Sequence, residues 1–170
     1  MAKEEFEKAA KPQVGELIKA CKNIDIARVK ELLEQGADIN ENDNSGDTAL
    51  IWFSVMGNAD VVQMLIEKGA ALDKQTKEGN TALGMASFFG LADIAQMLID
   101  AGAKIDEKNK DGKTALDNAR EKGHDVIVAM LEQIIQAKQE KRQRILEQVA
   151  DPSLRRPLAV KAPPKLGGGK

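Results

Sequence analysis

The sequence predicts an all-α fold: a helix–turn–helix repeat solenoid that ends in an extended helix and a flexible tail. Three observations predict it. Glycines recur every 33 residues in three registers: Gly36, Gly69 and Gly102; Gly46, Gly79 and Gly112; Gly57, Gly90 and Gly123. The string Thr-Ala-Leu recurs with the same period at 48–50, 81–83 and 114–116. Between these marks the apolar residues follow a helical spacing, and the register does not slip over three copies. A period of this length with helical patterning marks stacked helix pairs. One such pair cannot bury its apolar face alone, so neighbours must stack.

The elements follow in order. Residues 16–21 read as a first helix and 27–35 as a second, with Ile24 standing where later copies have Gly57, Gly90 and Gly123. This copy is expected to be an atypical cap, because one of its faces meets water. In the later copies Thr48, Thr81 and Thr114 are placed to cap helix N-termini. Leu50, Leu83 and Leu116 should point inward, as should Leu32, Leu65, Leu98 and Leu131 of the second helices. Ala86 and Ala119 keep facing helices close. Phe53 occupies their register and is expected to force local repacking. Gly36, Gly69 and Gly102 close helices with a left-handed residue. The remaining glycines sit between the two helices of each pair and in the turns at 43–46, 76–79 and 109–112.

At the C-terminal end, Ile135 stands where the next helix-closing glycine would fall. Residues 136–148 hold no glycine or proline and are good helix formers. The last helix is therefore expected to run from about Asp125 to Val149, stopped by Asp151-Pro152. Its apolar stripe passes through Ile127, Met130, Leu131, Ile134 and Ile135, lapses across 137–144, and returns at Ile145, Leu146 and Val149. The first part should cap the repeats. The second should project with an apolar face uncovered. The chain is thus divided into an N-terminal segment (1–15), about four repeats (16–136), a helical extension (137–151) and a basic Pro/Gly-rich tail (152–170).

The repeated strings resemble the ankyrin repeat, whose copies read as a turn, G-x-T-P-L-H-x-A, a second helix ending in L-L, then G-A-D-V-N. Here they are Gly46-Asp47-Thr48-Ala49-Leu50, Val61-Val62-Gln63-Met64-Leu65-Ile66 and Gly69-Ala70-Ala71-Leu72-Asp73, with Gly36-Ala37-Asp38-Ile39-Asn40 nearest the family form. The resemblance covers about residues 16–136. It departs in one uniform way: the family proline and histidine are absent, and Thr-Ala-Leu is followed by Ile51, Gly84 or Asp117. In the family that histidine ties neighbouring repeats through hydrogen bonds.

The resemblance implies a non-enzymatic protein-binding module with a concave face built from turn tips and first helices. Its contact positions map onto the turn residues Asn44, Ser45, Asp47, Lys77, Glu78, Asn80, Lys110, Asp111 and Lys113. They also map onto the two residues before each inter-helix glycine: Val55 and Met56, Phe88 and Phe89, Glu121 and Lys122. Adjacent helical residues point about 100° apart, so Phe88 and Phe89 are not expected to be buried together. Either one joins the core and the other is partly shielded, or the pair is an apolar hot spot with Val55 and Met56 one repeat away.

Composition narrows the remaining classes. Charged residues make up 31% of the chain, and no apolar run is long enough for a transmembrane helix. The N-terminal residues lack the apolar core of a signal peptide, and a lone cysteine fits a reducing compartment. A cytoplasmic protein is expected, with delivery into a host cell also consistent. The net charge of −2 hides a polarity: residues 138–170 carry +6 and residues 1–137 carry −8. The basic residues Lys138, Lys141, Arg142 and Arg144 are open to several readings. They solubilise a projecting helix, they bind back onto the acidic repeat body, or they form with Ile145, Leu146 and Val149 a second contact for a protein client. An alternative from another class is a ribonucleoprotein or ribosome accessory that uses the basic tail. That tail has no aromatic residue for base stacking.

A catalytic reading fails on inventory, with one histidine, one cysteine and no tyrosine. Cys21 falls at a small core position and His124 at a helix junction. Neither they nor any cluster makes a metal site. Gly167-Gly168-Gly169-Lys170 lacks the features of a phosphate loop, and the turn at 43–46 would place Trp52 where a calcium loop needs a carboxylate. No catalytic, cofactor or metal-binding residue is expected. A protein client, no membrane and a monomeric free state are.

Overall fold

A computed structural model describes residues 12–150 of the chain. The segment before residue 12 and the Pro/Gly-rich tail from residue 151 lie outside the described residues. Eight helices follow one another: α1 Glu16–Lys22, α2 Ile26–Glu34, α3 Ala49–Met56, α4 Ala59–Glu67, α5 Ala82–Phe89, α6 Ala92–Asp100, α7 Ala115–Lys122 and α8 Asp125–Ala150. Among the described residues the only strand-like feature is one isolated bridge between Asn42 and Thr48. The architecture is the all-α repeat solenoid the sequence predicts. By compactness the chain divides into two units, one up to Glu132 and one from Gln133 onward.

Each of the three later pairs starts in the same way. Thr48 Oγ accepts the amide of Ile51, Thr81 Oγ that of Gly84 and Thr114 Oγ that of Asp117. Each bond satisfies a backbone donor that a helix N-terminus leaves without a partner. In α7 the cap is reciprocal, because the Asp117 carboxylate accepts from the Thr114 amide at 2.9 Å. That hydrogen bond, joined by one from the Thr114 hydroxyl, holds the Asp117 pKa below its usual value.

The core runs through the first unit as two files. Leu17, Leu50 and Leu83 come from the first helices, and Leu32, Leu65, Leu98 and Leu131 from the second; all are buried. Phe53 is fully buried in the file that Ala86 and Ala119 occupy in later copies. Leu116 departs from the expectation and is only half-buried. Among the described residues no further helix pair packs against it. The residues around it turn polar accordingly: Asp117 replaces Ile51, and Arg120, paired to Glu132, replaces Ser54.

Neighbouring pairs are tied by the backbone of their turns. The Lys77 amide donates to the Ser45 carbonyl at 2.7 Å, and the Lys110 amide to that of Glu78 at 2.9 Å. This approach requires glycine one residue on. A Cβ on Gly46 would lie 2.9 Å from the Lys77 nitrogen, and one on Gly79 would lie 2.9 Å from the Asn109 Cα. Side chains add further ties. Asn40 accepts from the Ala71 amide and Asp73 from the Lys104 amide, each at 2.8 Å, and Asn118 donates to the buried Gly84 carbonyl at 3.1 Å. These bonds link neighbouring repeats.

Candidate functional site

Two kinds of element converge on one face of the first unit: the turn tips and the C-terminal ends of the first helices. The inter-helix glycines stop α3, α5 and α7 abruptly, so the two residues before each glycine are held at a fixed helix end. In α3 Val55 is half-buried and Met56 is 41% exposed. In α5 Phe88 is half-buried and Phe89 is 47% exposed. The two phenylalanine rings meet edge-to-face, 5.1 Å between centroids at 77°. Phe88 is covered on another side by the Lys122 ammonium, 4.4 Å from its ring centroid. His124 fixes the backbone beneath, with Nε2 3.0 Å from the Phe88 carbonyl. Phe89 is thus an exposed aromatic on a rigid base.

Beside it runs a shallow groove. One stretch, of about 200 Å³, is lined by Asn80, Met85, Phe88, Asn109, Asp111, Lys113 and Asn118. The next, of about 300 Å³, is lined by Asn44, Ser45, Asp47, Thr76, Lys77, Glu78, Asn80 and Met85. Asn80 and Met85 belong to both, so the two stretches join. Of the residues singled out from the sequence, Asn44, Ser45, Asp47, Lys77, Glu78, Asn80, Phe88, Asp111 and Lys113 line this groove. Val55, Met56, Phe89, Lys110, Glu121 and Lys122 do not; Lys110 leans towards Glu78, 3.7 Å away. Met85, Asn109 and Asn118 were not anticipated. Met85 and Asn118 share a 33-residue register with Trp52, and that spacing was the available signal.

Charges at the rim are mostly paired. Lys113 and Glu121 form an ion pair and hydrogen bond, which raises the lysine pKa and lowers that of the carboxylate. Lys22 binds Asp43 at 2.8 Å. Burial opposes the charge on Asp43. The Lys22 bond and the amides of Asp47 and Ser45 outweigh it and leave the carboxyl below its ordinary range. Asp47 is shifted the other way, by burial and then by the charge of Asp43. The indole nitrogen of Trp52 and the hydroxyls of Ser54 and Ser87 are buried without a partner among the described residues.

In the second unit, every described residue from 136 to 150 is exposed. Ile145, Leu146 and Val149 are 51%, 54% and 63% exposed. Lys141 and Arg142 stand one turn before them, and Arg144 reaches Glu140 at 4.0 Å.

Cys21 is fully buried, and its thiol is pushed up to about 12 by burial first and by the charge of Glu41 second. A thiol held protonated is a poor nucleophile. Among the described residues no cluster of three or more His, Cys, Asp or Glu could hold a metal ion, and no helix is long and apolar enough to cross a membrane.

No curated protein matches the chain. A family model of ankyrin repeats in three copies matches residues 17–109, more than half of the chain. The chain therefore belongs to the ankyrin-repeat family, whose repeats are protein–protein interaction modules.

Proposed function

We propose that this chain is a non-enzymatic adaptor, inhibitor or escort that holds a protein client across the face of its turn tips, with the end of α8 as a second contact. The observation that carries the reading is Phe89. It is nearly half exposed, braced by Phe88 and adjacent to a groove lined by amides. Exposed aromatics on a rigid base are the residues that dominate binding energy in protein interfaces. The Asn80 side-chain nitrogen offers a donor to a client backbone, while Asn109 is held by Asn80, Asp111 and Lys113 and Asn118 by the Gly84 carbonyl, and the paired rim charges disfavour clients that leave charge unmatched.

The test is to trap a client with a photo-cross-linker placed at Met56 and to measure its affinity for the Phe89→Ala variant. A loss of about 2 kcal/mol is expected, with folding unchanged because the side chain is exposed. A client bound as tightly by the variant overturns the reading. The alternative, a ribonucleoprotein accessory, draws on Lys138, Lys141 and Arg142. It requires steeply salt-dependent, nuclease-sensitive association.

A further inference from the structure

We infer that the C-terminal part of α8 is a docking helix for an acidic, aliphatic amphipathic helix of a partner protein, an inference that rests on reading this stretch as a contact. Lys138, Arg142, Ile145 and Val149 are spaced four, three and four residues apart. In an α-helix they fall within an arc of about 60°. That is the spacing with which one helix presents side chains to the seam of another. Lys141 and Leu146 flank the seam on either side. The seam is divided along its length, basic in the first half and aliphatic in the second.

The rest of the helix sets this face apart. Gln136 binds Glu140 and Gln143 binds Glu147, each at 3.0 Å, on the side opposite the seam. Both glutamates of the stretch therefore lie away from Lys138, Lys141 and Arg142, which form no ion pair among the described residues. All six seam and flanking residues are exposed. The complement is a helix with carboxylates along one half and leucine-like residues along the other.

The same distribution disfavours other occupants. Helices that lie on membranes carry their basic residues on the polar face, opposite an apolar one. Here the basic residues share the aliphatic face, and the opposite face carries Glu140 and Glu147. A nucleic acid would match the cations but leave Ile145, Leu146 and Val149 against phosphate. A second copy would set like charge against like if aligned in parallel.

The experiment uses the full chain. By calorimetry it is titrated with a synthetic helical peptide carrying glutamates in one half of its seam and leucines in the other. A twin with lysines for glutamates, phosphatidylserine vesicles and single-stranded RNA complete the set. The acidic peptide is expected to bind and the lysine twin to bind at least about tenfold more weakly. Ile145→Ser with Val149→Ser should lower affinity at least about tenfold, and so should Arg142→Glu. Lysine in the peptide opposite position 142 should restore binding to R142E. Circular dichroism checks that the variants keep their helices. Equal binding of the twin, or indifference to the variants, overturns the inference. So do sedimentation showing a dimer that I145S breaks, and vesicle or RNA binding lost in the same variants while the peptide is not bound. The wider reading is tested separately: Phe89→Ala must leave peptide binding unchanged. If it abolishes that binding, the peptide sits on the turn-tip face, and the docking helix fails while the client face stands.

Discussion

The first helix pair and the three later pairs reach one geometry by different chemistry. In α3, α5 and α7 each helix is capped from within, by a threonine at its own N-terminus, and closed by a glycine with φ between 72° and 75°. In α1 neither device is present. Gly15 stands in the threonine register and offers no side chain. Its place is taken by Glu41, from the start of the next repeat, whose carboxylate accepts the Gly15 amide at 3.1 Å and the Ile18 amide at 3.2 Å. The helix junction is made by Ile24, which takes φ of 57° and is the only non-glycine residue with positive φ among the described residues. A β-branched side chain there is strained, at about 1–2 kcal/mol. The comparison teaches that the first repeat holds its shape through its neighbour, whereas the later repeats carry the necessary residues in their own sequence.

The largest expected effect contrasts two turn glycines. Gly79→Val combines left-handed strain with a Cβ 2.9 Å from the backbone of the next turn. It should destabilise by about 3 kcal/mol. Gly36 has comparable φ but open space around it, so Gly36→Val should cost only the conformational part, about 1 kcal/mol. Urea unfolding of the two variants measures the difference. Equal losses would remove close turn packing from the account.

Borrowed capping comes next. Glu41→Ala should cost about 1 kcal/mol, the worth of an N-cap, and the loss should be confined to the first pair. The single cysteine reports it. Cys21 is sealed in the folded chain, so native-state thiol labelling follows local opening of α1. Labelling should quicken in Glu41→Ala and not in Thr81→Ala. If both variants label at the parent rate, Glu41 is not the cap.

A smaller change of opposite sign is expected at the junction. Ile24→Gly should stabilise by about 1 kcal/mol, because the side chain is 55% exposed and its removal relieves strain without opening a cavity. Gly57→Ile, at the equivalent inner position, should lose a similar amount. A lower melting temperature for Ile24→Gly would mean that its side chain packs more than its exposure indicates.

The smallest effect is the acid response of the turn shared by the two regions. Asp43 has a depressed folded pKa. Its contribution is present above the ordinary carboxylate value and is lost as pH falls through the lower folded value. Asp47 has a raised folded pKa, so its charge disfavours folding at neutral pH and protonation relieves this. Asp43→Asn should therefore shrink the stability lost between neutral pH and about pH 3, and Asp47→Asn should enlarge it. Urea midpoints at the two pH values give the sign.

Much of the fold was legible because its rules are local and repeated. A threonine before an apolar helix and a glycine after it act within a few residues, so three copies in register report the same backbone three times. The long final helix was legible for the same reason: Ile135 removes the stop, and nothing from 136 to 148 replaces it. The proposed client face was legible only in outline. Phe88 and Phe89 stand out in a chain with four phenylalanines. Their edge-to-face contact, the Lys122 ammonium beside Phe88 and the groove through Met85 depend on residues tens of positions apart.

The sequence by itself determined the period, the helix pairs, the threonine caps of the later repeats and the division between an acidic body and a basic end. Only the tertiary structure decided that Glu41 caps a helix more than twenty residues earlier, that Ile24 bears a left-handed backbone, and that Asn40, Asp73 and Asn118 tie neighbouring repeats. The physical reason is range. Capping, turn and helix preferences are settled among residues a turn apart. A carboxylate finds an open amide in the neighbouring repeat only after stacking has brought the two within hydrogen-bonding distance.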